Sequence, residues 1–201
     1  MLKGMMEELK YHVTPEQMLI EQQQVEGAKA EPAKFEALYN RYYEPILSFV
    51  YKRVETKESA YDITQQVFLN AMLKLNQFKH TGTPFSSWLY RIAINEINQL
   101  YRKEKTQRTV KVEEEELRYM ANELDDEEDI ETRYEKVSEA LSALPEEDIQ
   151  VVELRFFERR AFKEIAEILN ITESNAKVKL YRIIDKLKIL IKQSQKIKLP
   201  S

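Results

Sequence analysis

Five side chains between residues 88 and 102 pose the chemical question. Trp88, Arg91, Asn95, Asn98 and Arg102 recur at i, i+3, i+7, i+10 and i+14, a spacing that gathers them on one side of a helix. The set holds a flat aromatic, two guanidinium groups and two amides. An aromatic ring stacks on an exposed base, a guanidinium pairs with phosphate or guanine, and an amide reads the edge of adenine. The plain alternative is a solvated polar face, which most helices carry. A second cationic set lies far along the chain, where Asn175, Lys179, Arg182 and Lys186 recur at i, i+4, i+7 and i+11 with Ser174 and Lys177 beside them.

The first set needs a helix over residues 84–103. Leu89, Ile92, Ala93, Ile97 and Leu100 supply its core-facing stripe, and Pro84 with Ser86 or Ser87 supplies its start. The loop Lys79–Pro84, with Gly82, breaks the chain before it. A preceding helix is predicted from about Lys57 to Phe78. Its stripe is Ala60, Ile63, Val67, Ala71, Leu75 and Phe78, widened by Phe68 and Met72; Asp62, Gln65, Gln66 and Asn70 lie opposite. Earlier still, Phe35, Leu38, Tyr39, Tyr42, Ile46, Phe49 and Val50 recur at helical spacing over 32–53, with Pro45 a kink or break. Thr14-Pro15-Glu16-Gln17 predicts a helix start, with the helix running to about Val25 and no function assigned to it.

The second set belongs to a short-helix, turn, long-helix pattern. Phe162, Ile165, Ala166 and Leu169 form a short apolar stripe; Asn170 suits the left-handed position after it, and Thr172 caps the next helix. That helix buries Ala176, Leu180, Ile183, Leu187 and Leu190. Upstream, Val137, Leu141 and Leu144 predict one helix ending at Pro145, and Ile149, Val152, Phe156 and Phe157 another. The arrangement predicts a helix-turn-helix, whose second helix enters the major groove N-terminus first.

Composition narrows the class. The 201 residues are 43% hydrophobic and 33% charged, with three glycines. The expectation is an all-α fold of two small helical domains joined by an acidic linker. Cysteine is absent, which excludes disulfide scaffolds and thiolate metal sites. Two histidines, no Gly-rich phosphate loop and no metal-spaced ligand set argue for no catalytic site, no metal site, no cofactor and no enzyme activity. No apolar run reaches the roughly 18 residues of a membrane span, and the N-terminus lacks a signal-peptide layout. A cytoplasmic chain without membrane insertion is the expectation. The net charge of −4 hides a strong asymmetry. Residues 112–132 hold 11 acidic residues and 1 basic, a net of −10 that leaves +6 for the rest; 79–111 carry +5 and 155–198 carry +7. Two basic blocks around an acidic one point to nucleic acid more than the total does.

Three segments carry a family resemblance. They are Glu58-Ser-Ala-Tyr-Asp-Ile-Thr-Gln-Gln-Val-Phe-Leu-Asn-Ala, Phe85-Ser-Ser-Trp-Leu-Tyr-Arg-Ile-Ala-Ile-Asn, and Phe162-Lys-Glu-Ile-Ala-Glu-Ile-Leu-Asn-Ile-Thr-Glu-Ser-Asn-Ala-Lys-Val-Lys-Leu after Leu144-Pro-Glu-Glu. Together they resemble bacterial sigma factors of the extracytoplasmic-function group, of sigma-70 type. The resemblance implies residues 31–105 as a region-2-like domain, 106–132 as the acidic linker and 133–193 as a region-4-like helix-turn-helix domain. Residues 1–30 and 194–201 stay outside it, as an extension of unknown role and a tail. It also implies core RNA polymerase docking at Asp62, Gln65 and Gln66. Melting-element contacts fall on Lys79, His80, Phe85, Trp88, Arg91, Asn95, Asn98 and Arg102, with the 79–85 loop receiving a base flipped from the duplex. Upstream-element contacts fall on Ser174, Asn175, Lys177, Lys179, Arg182 and Lys186. The implied partners are core polymerase, promoter double-stranded DNA, the melted non-template strand and an anti-sigma factor, and the linker is implied to thread toward the RNA exit path. Ile94 stands where relatives often carry Arg, and Ser174–Lys179 departs from the frequent recognition-helix sequence, so promoter sequence does not transfer. The rival expectation is a helix-turn-helix transcriptional regulator whose first domain binds another protein.

Overall fold

The structure, a computed structural model, describes residues 14–104, 116, 120 and 130–197. Among them every regular element is helical and no strand occurs. The chain divides into two compact units, with the main break between residues 111 and 112 and residues 167–170 grouped with the first unit. The first holds α1 (Pro15–Ala30), α2 (Phe35–Tyr51), α3 (Lys57–Leu73) and α4 (Phe85–Glu104). Beyond the break come α5 (Ile130–Ser142), α6 (Glu146–Val152), α7 (Phe162–Leu169) and α8 (Glu173–Ile197). Most of the acidic stretch, and with it the expected path of the linker, lies outside the described residues; its last part, from Ile130, is already α5.

In the first unit α2, α3 and α4 pack on one another and α1 packs on α2. Leu38, Ile46, Val67, Ala71, Phe85, Leu89, Ala93 and Ile97 are fully buried at the centre. Each large aliphatic or aromatic side chain removed from water in this way contributes about 1.5–3 kcal/mol. The stripe of α4 is shifted from the expected one: Tyr90, Ile94 and Tyr101 are buried, while Ile92 and Leu100, expected in it, are half-buried. The Tyr90 ring meets Phe49 edge-on at 4.6 Å. Tyr101 donates its hydroxyl to the Arg53 carbonyl at 2.7 Å, tying the end of α4 to the end of α2. Arg53 is itself buried, its guanidinium bonded to the Phe49 carbonyl at 2.7 Å and lying 3.5 Å from the Phe49 ring centre.

Three sequence expectations change here. α2 runs unbroken through Pro45, whose lost amide bond is outweighed by buried Leu38, Tyr42, Ile46, Phe49 and Val50 on both sides of it. α3 stops at Leu73 rather than Phe78, giving way to a 3₁₀ turn over Leu75–Gln77. Met72, counted in the core stripe, is 43% exposed.

α1 extends to Ala30, beyond the expected end near Val25, and belongs to the folded unit rather than preceding it. A capping box starts it: the Gln17 amide donates to Thr14 Oγ1 at 3.2 Å, and the Thr14 amide donates to Gln17 Oε1 at 2.9 Å. Val25 and Ala28 enter the core, and so does Glu21. A carboxylate in such a place needs hydrogen-bond donors to offset its lost hydration. Glu21 has two, the Tyr42 hydroxyl from α2 and the Phe85 amide, at 2.5 Å, from the first residue of α4. It therefore caps α4 from another helix, where an N-terminus attracts negative charge. The Ser86 and Ser87 side chains, expected as caps, are buried within the first turn instead.

Beyond the break, α8 packs against α5 and α6. Val137, Ala140, Leu141, Leu144, Val151, Val152, Ile165, Ile168, Ala176, Leu180, Ile183 and Leu187 are buried. Leu190, expected in the stripe, is half-buried, and Ile191 takes the buried place. The helix predicted through Phe157 is regular only to Val152 and becomes π-helical over Glu153–Phe157, with the Glu158 amide reaching the Glu153 carbonyl at 2.9 Å.

Replacing Glu21 tests the cap. Glu21→Ala leaves the Tyr42 hydroxyl and the Phe85 amide without their acceptor and should cost about 2–4 kcal/mol, at the scale of charge-assisted hydrogen bonds. Glu21→Gln keeps one acceptor oxygen and should cost less. Thermal denaturation of the three proteins reads both, and equal midpoints would refute the cap.

Candidate nucleic-acid interface

The chemistry-bearing face of α4 forms as the spacing predicts. Asn95 and Arg102 are exposed, and Trp88, Arg91 and Asn98 are half-buried. Trp88 stands on an aromatic base, its ring centre 5.3 Å from Phe78 and 5.5 Å from Phe85. Phe78 and Phe85 meet edge-on at 5.1 Å, and His80 meets Phe78 edge-on at 4.9 Å. The two ends of the 79–84 loop are thus drawn together, and Gly82 makes the bend at φ 77°, in the left-handed region where glycine is unstrained. Lys79 is exposed at the head of the loop.

Phe85 takes a different position from the one expected. It is fully buried, so it supports Trp88 and Phe78 from beneath and presents no face to a ligand. The family resemblance ranked it with the contact residues as the end of the 79–85 loop; in the structure Glu21 holds its amide and its ring lies in the core. Three polar atoms around this face are buried without a hydrogen-bond partner among the described residues: His80 Nε2, Ser87 Oγ and Asn98 Oδ1. Atoms in that state carry a desolvation cost of about 1–3 kcal/mol each, which a ligand group can relieve.

On the outer side of α3, Asp62, Gln65 and Gln66 are all exposed, with Gln66 donating to Asn70 at 3.2 Å and Asn70 donating to Glu96 of α4 at 2.8 Å. Leu69, Met72 and Leu73, 46%, 43% and 69% exposed, continue that face along the helix. The sequence reading missed this apolar half. The signal was present in the spacing from Gln65 to Leu69 and Leu73, four and eight residues on.

The turn between α7 and α8 follows its predicted chemistry. Asn170 is left-handed at φ 55°, and the Ile171 amide closes onto the Ala166 carbonyl at 3.0 Å, the bond of a Schellman ending. Thr172 Oγ1 accepts from the Asn175 amide at 3.1 Å and opens α8. Glu164 completes the start of α7 by accepting from the Ala161 amide at 3.1 Å and from Arg160 at 3.2 Å. The first turns of α8 then present Ser174, Asn175 and Lys177, with Arg182 and Lys186 further along, all exposed. Lys177 pairs with Glu173 at 2.6 Å. Lys179 is half-buried and shared between Glu147 at 3.4 Å and Asp148 at 3.7 Å, which lowers its share of the positive face. Val178 and Tyr181 are also exposed there, 47% and 50%.

No group of three metal-ligating side chains occurs among the described residues, and no described helix is long and apolar enough to cross a membrane. Comparison with known proteins gives two family matches, sigma-70 region 2 over residues 38–107 and sigma-70 region 4 over residues 134–187. Among curated proteins, the chain is 28% identical to the ECF RNA polymerase sigma factor BldN of Streptomyces coelicolor, over 83% of this chain and 64% of that protein. It is 27% identical to the RNA polymerase sigma factor YlaC of Bacillus subtilis, over 73% and 86%. Among solved structures, CnrH in complex with the cytosolic domain of CnrY shares the fold with a TM-score of 0.56 at 20% identity, covering 86% of this chain and 97% of that one. The sigma factor RpoE of Bartonella quintana, solved with the anti-sigma factor NepR, gives 0.54 at 17%, covering 79% and 96%.

The turn chemistry is open to direct test. Thr172→Ala should cost about 1 kcal/mol of stability as a lost N-cap. Asn170→Gly should be neutral or mildly stabilising, while Asn170→Ala should cost about 1 kcal/mol for a left-handed residue with a Cβ. Chemical denaturation of the full chain orders the three, and an Asn170→Ala protein as stable as Asn170→Gly would refute the turn geometry.

Proposed function

The chain belongs to the sigma-70 family as a sigma factor of the extracytoplasmic-function group, and we propose that it gives core RNA polymerase its promoter specificity and assists strand opening. The observation that carries this reading is the face of α4, where Trp88 rises from an aromatic base beside Arg91, Asn95 and Asn98. Its neighbour is the bowed 79–84 loop. A base leaving the duplex costs a few kcal/mol, and stacking with a shaped receiving site offsets that. Trp88 offers the ring, Asn95 and Asn98 the edge-reading amides, and Arg91, Arg102 and Lys79 the charge that holds the strand.

The outer face of α3 docks core polymerase, with Asp62, Gln65 and Gln66 giving polar specificity and Leu69, Met72 and Leu73 giving area to bury. α8 enters the major groove of the upstream element with Ser174, Asn175 and Lys177 leading and with Lys179, Arg182 and Lys186 along the outer side. The acidic residues between the units fit a path through a basic channel of the polymerase. Catalysis belongs to the polymerase; this chain binds, orients and opens. The similar structures solved with CnrY and with NepR support an anti-sigma partner for this chain as well.

Reconstitution with core polymerase and promoter-specific run-off transcription tests the reading; absence of both core binding and transcripts would sink it. Asn95→Ala and Trp88→Ala should leave core affinity unchanged and reduce open-complex formation by roughly 10- to 100-fold, the value of one stacked base. Arg182→Ala should weaken upstream-element binding and lower its salt slope by about one unit, the signature of one lost phosphate contact.

A further inference from the structure

α1 lies before the matched region-2 segment, which begins at residue 38, and no function attaches to it. Yet two of its side chains grip the two ends of the 79–84 loop. Lys29 donates to the Phe78 carbonyl, the last backbone group before the loop, at 3.1 Å. Glu21 accepts from the Phe85 amide, the first after Pro84, at 2.5 Å. Lys29 is steadied by Glu26 at 2.8 Å, and Glu21 by the Tyr42 hydroxyl. We infer that α1 is a positioning element for this loop, with Glu21 and Lys29 as the positioning residues that hold it bowed and ready to receive an extruded base.

The geometry gives the reason. Eight residues separate Glu21 from Lys29, about 12 Å along a helix axis. Seven residue steps lead from Phe78 to Phe85, which could span about 23 Å if extended. Gripping both ends from one rigid rod removes that slack, and the Phe78 and Phe85 rings meet because of it. A free loop would lose chain entropy each time it closed on a base; one already held short has lost it on folding. The same two grips also carry His80 and Trp88, both packed against Phe78. Neither Glu21 nor Lys29 touches DNA in this scheme.

The inference rests on the proposed sigma-factor function, and two measurements on the full chain keep the two apart. The first is amide hydrogen exchange across residues 78–88 of the free protein. Lys29→Met keeps the aliphatic stem and removes the donor; Glu21→Gln weakens the acceptor. Both should raise exchange there about tenfold, the equivalent of one charge-assisted hydrogen bond, with α5–α8 unchanged. Lys29→Arg should restore protection. The second is run-off transcription with core polymerase on templates that vary the base received by the loop. There Lys29→Met should reduce discrimination between bases by roughly three- to tenfold, with core affinity unchanged and Lys29→Arg rescuing. Unchanged exchange would overturn the grip. Faster exchange with full base discrimination would overturn its role in recognition. If the wild-type chain neither binds core nor yields transcripts, the sigma-factor reading fails by itself, and exchange still decides whether α1 holds the loop.

Discussion

A single carboxylate sets the geometry of the first domain. Glu21 is removed from water, and a charge so placed is tolerable only while its donors stay in register. Those donors come from α2 and from the first peptide of α4, so three helices are pinned at one point. The consequence reaches along the whole of α4. A helix turns about 100° per residue, so where its first turn is fixed decides which side chains face the core 15 residues later. With Phe85 capped and buried, Leu89, Ala93 and Ile97 point inward, and Trp88, Asn95 and Arg102 reach the surface. A start displaced by one residue would rotate every one of these side chains by about 100° and break that division.

In α5–α8 the order is kept by local bonds rather than by one buried charge. Glu164 closes the start of α7, Asn170 and the Ile171 amide close its end, and Thr172 opens α8. Each such device is worth on the order of 1 kcal/mol. Their larger effect is to fix a short turn, so that the exposed first residues of α8 project together. The π-helical step at Glu153–Phe157 serves the same packing. It adds a residue to one turn and lets Leu154, Arg155 and Phe156 all be buried, which a regular α-helix of that register would not do.

What could be read from sequence divides along the same line. The caps of the α7–α8 turn, the stripes of α4 and α8 and the cationic face were legible because each depends on residues a few positions apart. Glu21 was not, since a glutamate among glutamines reads as solvated, and its partners lie 21 and 64 positions away. Phe85 was ranked with the contact residues for want of that same information. Pro45 reads as a break from local chemistry, and only the apolar residues flanking it keep α2 whole. The π-helical step has no local signature, because it is the surrounding core that favours it. Met72 shows the reverse error: a residue at core spacing that tertiary structure leaves outside, beside Leu69 and Leu73.

Trp88 is the chain's one tryptophan, against eleven tyrosines spread over it. It places a lone red-edge fluorophore on the α4 face proposed to meet melted strand, half in and half out of an aromatic nest. Light absorbed there reports that face and nothing else in the molecule. On the proposed role a base stacked on Trp88 would quench it, so the free protein, excited at the red edge, would report the binding of single-stranded DNA without a label.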